Sequence, residues 1–119
     1  MSTITSFKDL IVWQKAQLLT VDVYKEFNSV RDYGFRDQIQ RASVSIMNNI
    51  AEGYARRSDK AFKNFLYNSL GSAAEVQSML LLAADLSFIT AEVQSRSLNE
   101  LTEVIKLLHA FQKKLSATS

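Results

Sequence analysis

The chain has 119 residues, 47% hydrophobic and 22% charged, which suits one domain with one packed core and leaves little room for a second. Proline and cysteine are absent and glycine occurs three times; the turn residues that sandwiches, barrels and doubly wound sheets need are therefore missing, as are a disulfide framework and any thiolate metal site. Fourteen Lys and Arg against twelve Asp and Glu leave a formal charge of +2, which permits a nucleic-acid partner without demanding one. Residues 1–8 are polar and carry no apolar signal region, and the richest apolar stretch, around residues 79–86, is broken by Asp85. No membrane segment is expected, and a cysteine-free soluble chain fits the cytoplasm.

The pattern predicts a first helix over residues 7–27, with Ser6 as N-cap and an apolar face of Leu10, Val12, Trp13, Ala16, Leu19, Val23, Tyr24 and Phe27. After a polar break at residues 28–32, a second helix over 33–55 sets Phe35, Ile39, Ala42, Ile46, Ile50 and Gly53 at steps of three and four. Ser58 with Asp59 marks the start of a third helix over 59–87, whose stripe is Phe62, Phe65, Leu66, Ser69, Ala73, Val76, Leu80 and Ala83. Its small residues Ser69, Ser72 and Ala73 allow a neighbouring helix to come close. Thr90 caps a fourth helix over 91–115, with Val93, Ser97, Leu101, Val104, Leu108, Phe111 and Leu115 inward. One all-α domain over 1–119 follows. Short connections make consecutive helices antiparallel, so the expected architecture is an up-down-up-down four-helix bundle.

A second apolar stripe lies away from the core faces. Ile11 and Leu18 stand seven apart on helix one among Lys15, Asp22 and Lys25; Val44, Met47 and Ala51 lie opposite the core stripe of helix two; Leu70, Ala74, Leu81 and Phe88 flank that of helix three. Aligned aliphatics on three helices suggest a patch that a partner covers, the alternative being a wide core face with a few exposed residues. A second copy of the chain is the simplest partner, with Ile11, Leu18, Val44, Met47, Leu70 and Leu81 at the interface.

Catalytic chemistry finds little support. The single His109 sits beside Lys106, Lys113 and Lys114 on a polar flank, and no second His or Cys joins it in a metal set. Asp22, Glu52, Glu75, Asp85, Glu100 and Glu103 fall inside helices, where solvated faces and pairs such as Glu103 with Lys106 account for them. No Glu-x-x-His pair, Walker loop or dinucleotide fingerprint occurs. A non-enzymatic protein without a cofactor is expected. What stands out is a polar cluster in residues 48–63, with Arg56, Arg57, Lys60 and Lys63 at the corner between helices two and three. It reads either as a phosphate site or as a solvated corner. Arg31, Arg36 and Arg41 would extend the positive surface, and Tyr33 and Tyr54 would supply rings for stacking on bases or for packing at a bundle end.

Three segments carry a family resemblance: Phe7-Lys8-Asp9-Leu10-Ile11-Val12-Trp13-Gln14-Lys15-Ala16; Asp37-Gln38-Ile39-Gln40-Arg41-Ala42-Ser43-Val44-Ser45-Ile46 followed by Asn49-Ile50-Ala51-Glu52-Gly53; and residues 62–75 with Phe65-Leu66 and Gly71-Ser72. Together they resemble the four-helix-bundle proteins encoded by intervening sequences in bacterial 23S ribosomal RNA genes, and they cover nearly the whole chain. The resemblance implies a four-helix protomer in a ring-like homopentamer. Similar accessory variability proteins of diversity-generating retroelements form positively charged barrels that bind nucleic acid and a reverse transcriptase. The sequence departs from the family pattern at Met47-Asn48, where Pro-Ser or Pro-Ala is common, and at Ala61, where an acid is common; a straighter second helix and the loss of a capping-box partner for Ser58 should result. The expected function is a homo-oligomeric module that binds RNA or DNA, or a nucleic-acid enzyme, through Arg56, Arg57, Lys60, Lys63 and Arg41. The alternative is a protein-interaction scaffold with no direct nucleic-acid contact.

Overall fold

The computed structural model describes residues 6–118, in which four helices and one 3₁₀ turn account for all regular structure and no strand occurs. Helix α1 spans Ile11–Phe27, α2 Tyr33–Ala55, α3 Asp59–Asp85 and α4 Ala91–Thr118. No described helix is long and apolar enough to cross a membrane.

The helix starts are set by side-chain caps that satisfy otherwise orphaned N–H groups. Asp32 Oδ1 accepts from the Phe35 N–H at 3.1 Å, Ser58 Oγ from the Ala61 N–H at 3.3 Å, and Thr90 Oγ1 from the Val93 N–H at 3.1 Å. The first helix differs from the periodic expectation. Ser6 caps only a 3₁₀ turn, Phe7–Asp9, and Leu10 is extended at φ −76°, ψ 124°, so α1 begins at Ile11 rather than at residue 7. The break directs Leu10 into the core, and Gln14 Nε2 bridges it by donating to the Lys8 carbonyl at 2.8 Å.

Two helices end on left-handed residues that are not glycine, Arg57 at φ 56° and Ser87 at φ 60°. After α3, the Ser87 N–H donates to the Ala84 carbonyl and the Phe88 N–H to the Ala83 carbonyl, at 3.0 and 2.9 Å, the paired reverse bonds that close a helix C-terminus. This turn stops α3 at Asp85, short of residue 87. It also carries Phe88 back onto Phe35, centroids 5.1 Å apart, and Phe35 in turn stacks on Phe27 at 6.0 Å. Phe88 thus closes one end of the bundle instead of joining the outer apolar flank.

Helix α1 packs on α2 and α4, and α3 packs on the same two, so α1 and α3 face each other diagonally across an elongated body of 46 × 22 × 20 Å. The stripe residues Ile39, Ile46, Ile50, Leu66, Ala73, Val76, Leu80, Leu101, Val104 and Leu108 are fully buried, whereas Tyr24 remains outside. The closest packing joins α2 to α3. Ser69 Oγ donates to the Ile46 carbonyl at 2.7 Å, and the Ser45 and Ser72 hydroxyls bond at 2.8 Å. A Cβ built on Gly53 would lie 2.7 Å from Phe65 Cβ and 2.8 Å from Phe62 Cδ1, whereas one on Gly71 would meet nothing within 4 Å.

The two glycines therefore predict opposite responses to one added methyl. Gly71→Ala should raise stability by about 0.5–1 kcal/mol, the usual gain in an exposed helix interior. Gly53→Ala should lower it by about 1–3 kcal/mol, because the Phe65 Cβ and the Phe62 ring must both shift. Urea unfolding followed by circular dichroism checks both, and shifts of the same sign would contradict the α2–α3 contact.

Candidate nucleic-acid interface

The α2–α3 connection is three residues long, 56–58, and places side chains from the end of one helix and the first turn of the next on one corner. Arg56, Arg57 and Lys60 are exposed there and Lys63 is half-buried. The Arg56 guanidinium lies 5.0 Å from the centroid of the Phe65 ring, a cation–π contact that holds the side chain over an apolar platform. Three ion pairs lie elsewhere: Lys15 with Glu103, Arg36 with Asp37, and Arg96 with Glu26. Asp59 occupies the first turn of α3. Its carboxylate takes the favourable position at the helix N-terminus, so an arriving phosphate would have to be held by the Arg and Lys side chains rather than by the helix dipole.

Beside the corner, at the end of the bundle, lies a cavity of about 510 Å³. Tyr54, Phe62 and Phe111 supply its aromatic lining, and Arg57 and Lys114 supply cations at its edge. Tyr54 meets Phe62 edge-on at 6.2 Å, and Phe62 is tilted against Phe111 at 5.0 Å. An adjoining groove of about 350 Å³ between the starts of α1 and the end of α4 shares Leu10, Phe111 and Lys114 with it. Sequence spacing offered no route to this cavity, because Arg57 and Lys114 meet only through the packing of α2, α3 and α4.

Arg41 does not join the corner. Fifteen residues separate it from Arg56, about 22 Å along the helix axis. It lines a separate polar groove of about 530 Å³ with Asp37, Gln38, Ser45, Ser72 and Glu75, where Gln38 Nε2 donates to Glu75 Oε2 at 3.0 Å. Flanking carboxylates neutralise that groove. Tyr33 is exposed under Arg36, 4.7 Å from guanidinium to ring centroid, at the far end of α2 from Tyr54. The two tyrosines therefore cannot share one short site.

The apolar residues expected at an interface divide in two. Ile11, Leu18 and Leu81 are exposed at 62%, 57% and 51%, and Val21 at 43% lies three residues beyond Leu18 on the same side of α1. Met47 and Leu70 are half-buried and packed against the core, with Val44 half-buried as well, so they have less surface to give. His109 is exposed, and no group of three metal-ligating side chains forms among the described residues.

Glu100 is not the solvated helix carboxylate that its position in the sequence suggests. Its Oε1 is buried without a hydrogen-bond partner. Burial raises its pKa from 4.5 to about 7, followed by the hydrogen bond with Asp22 across the α1–α4 seam and the charge of Asp22; the cation of Arg96 opposes the shift and Glu103 adds to it. Around this pair, Lys15 reaches Glu103 at 3.1 Å and Arg96 reaches Glu26 at 2.7 Å, so Glu103 is bridged to α1 rather than to Lys106.

Four packed helices with cations gathered at one corner define an all-α bundle with a basic end. The sequence comparison gives its family: the model for the 23S rRNA-intervening sequence protein matches residues 8–110, and the chain belongs to that family. Among solved structures it is similar to a protein of unknown function from the S23 ribosomal protein family of Bacteroides thetaiotaomicron VPI-5482, with 31% identity, a TM-score of 0.81, and coverage of 87% of this chain and 99% of that one. No curated protein matches the sequence.

The Asp22–Glu100 contact predicts a pH dependence. Folding raises the Glu100 pKa, so between 4.5 and about 7 the folded chain retains a proton that the unfolded chain has released. Its contribution to stability is complete below that window and is lost as pH rises through it. Glu100→Gln should melt several degrees above the parent at pH 8 and match it more closely at pH 4. Parallel melting curves at all pH values would contradict the shared proton.

Proposed function

We propose that the protein is a non-enzymatic, homo-oligomeric module, an antiparallel up-down-up-down bundle that binds nucleic acid, or an enzyme acting on it, through the corner of Arg56, Arg57, Lys60 and Lys63. The observation that supports this most is the clustering on one corner of the exposed Arg56, Arg57 and Lys60 with the half-buried Lys63, none of them in the ion pairs Lys15–Glu103, Arg36–Asp37 and Arg96–Glu26. The family description, with its 23S rRNA intervening sequence, agrees with a nucleic-acid setting, and the proposed location is the cytoplasm.

Self-association draws support from apolar surface on two helices that do not touch, Ile11, Leu18 and Val21 on α1 and Leu81 and Leu82 on α3 with Leu86 just past its end. Two different faces suit a head-to-tail joint, which closes into a ring when the rotation allows, and a pentamer is the proposed ring. Ring symmetry would repeat the corner once per subunit and turn a charge of +2 per chain into a concentrated positive field.

Binding should weaken steeply with salt, because phosphate contacts release counterions. Arg56→Glu with Arg57→Glu should reduce affinity for every RNA or DNA tested and flatten the salt slope, with native mass unchanged. Ile11→Glu with Leu18→Glu should lower the native mass by light scattering while helical circular dichroism persists. A monomeric parent would overturn the assembly. A parent that binds neither RNA nor DNA at low salt would overturn the nucleic-acid reading and leave a protein scaffold.

A further inference from the structure

We propose that the bundle-end cavity receives one unpaired nucleotide, its base against Tyr54, Phe62 and Phe111 and its flanking phosphates on Arg57 and Lys114, so that the protein selects single-stranded or bulged RNA over continuous duplex. This inference rests on the basic-corner reading and adds what that corner reads. At about 510 Å³, the cavity lies within the range of small-ligand sites. Its lining joins aromatic surface to cations, the pairing that single-strand binders use, rings for the bases and positive charge for the backbone.

The lining and its surroundings favour an unpaired nucleotide within a strand over an isolated apolar anion. Arg57 belongs to the cavity and to the corner at once, and Arg56 and Lys60, exposed close to it in the chain, would extend a positive track beyond the cavity. A strand with one base in the cavity would lay its neighbouring phosphates along that track, whereas a single headgroup would leave most of it unused. Asp59 lines the same cavity, so the sides that offer cations to the backbone are those of Arg57 and Lys114. The concavity itself excludes a base that remains stacked in a helix, since only an extruded or unpaired base can reach rings set at the cavity wall. Arg57 adopts a left-handed backbone at φ 56°, where glycine would be less strained. The arginine at this position therefore trades local stability for a cation at the junction of cavity and corner.

The test compares a single-stranded RNA of about 12 nucleotides with its duplex, using the full chain at fixed salt, with 2-aminopurine placed at one unpaired position. The single strand should bind about tenfold or more tightly, and the 2-aminopurine emission should change on binding. Phe111→Leu keeps apolar volume but removes a ring; it should cost about 5- to 100-fold for the single strand and leave duplex affinity unchanged. Arg57→Gly should weaken single-strand binding without lowering the melting temperature, which separates lost contact from lost fold. Equal affinity for strand and duplex, both still sensitive to Arg56→Glu, would overturn the cavity inference and leave the basic corner standing. Absence of binding to either would overturn both. Displacement of a fluorescent fatty acid from the cavity by unlabelled fatty acid but not by the RNA would also overturn the inference.

Discussion

The missing side chain at Gly53 is the constraint on which the α2–α3 half of the molecule depends. With no Cβ there, Phe62 and Phe65 approach the end of α2 more closely than any other residue at position 53 would permit. Both rings then serve the basic end: Phe65 carries the guanidinium of Arg56, and Phe62 forms the wall between Tyr54 and Phe111. Further along the same seam, buried Ser69 donates to the Ile46 carbonyl and Ser45 meets Ser72, so close approach is maintained with the polar groups satisfied. A seam built from glycine and serine contributes less apolar area per residue than one built from leucine. It instead fixes the spacing of two helices, and that spacing determines where the corner cations stand.

The opposite seam, between α1 and α4, is held differently. Lys15–Glu103 and Arg96–Glu26 cross it at partly exposed positions, where such pairs contribute little stability each. Between them Glu100 and Asp22 share a hydrogen bond that requires one carboxyl to keep its proton. The bundle thus has one seam fixed by shape and one whose strength varies with pH. The exposed aliphatics of α1, Ile11 and Leu18, share that helix with Lys15, Asp22 and Glu26.

Periodicity revealed the core because burial in a helix bundle repeats every three to four residues, and Ile39, Ala42, Ile46 and Ile50 are all buried on that rhythm. It failed wherever the answer depended on the backbone between helices or on the facing helix. Leu10 lies on the apolar stripe of α1 yet belongs to an extended break, and Phe88 continues the flank of α3 on a helical wheel yet is turned inward by the left-handed Ser87. Glu100 carries no sequence signal for its buried oxygen, since the partner Asp22 is on another helix. Arg56, Arg57, Lys60 and Lys63 were legible as a corner because a three-residue connection keeps them near in sequence. Arg41 was grouped with them by charge alone, and the length of α2 separates it.

A chain with a net charge of +2 can still present a basic site. Its acids are not spread evenly: Glu26, Glu103, Asp22 and Glu100 gather on the α1–α4 seam, and Asp37 and Glu75 line the groove of Arg41. Pairing on those surfaces removes their cations from the account as well as their acids. The surplus that remains falls at the bundle end, where Arg56, Arg57, Lys60 and Lys114 outnumber Glu52 and Asp59. What a charged ligand encounters is this local imbalance, since at physiological salt a charge more than about 8 Å away through solvent is largely screened. Net charge is therefore a poor guide to this protein, and the gathering of paired acids on other surfaces leaves a local excess of cations at the bundle end.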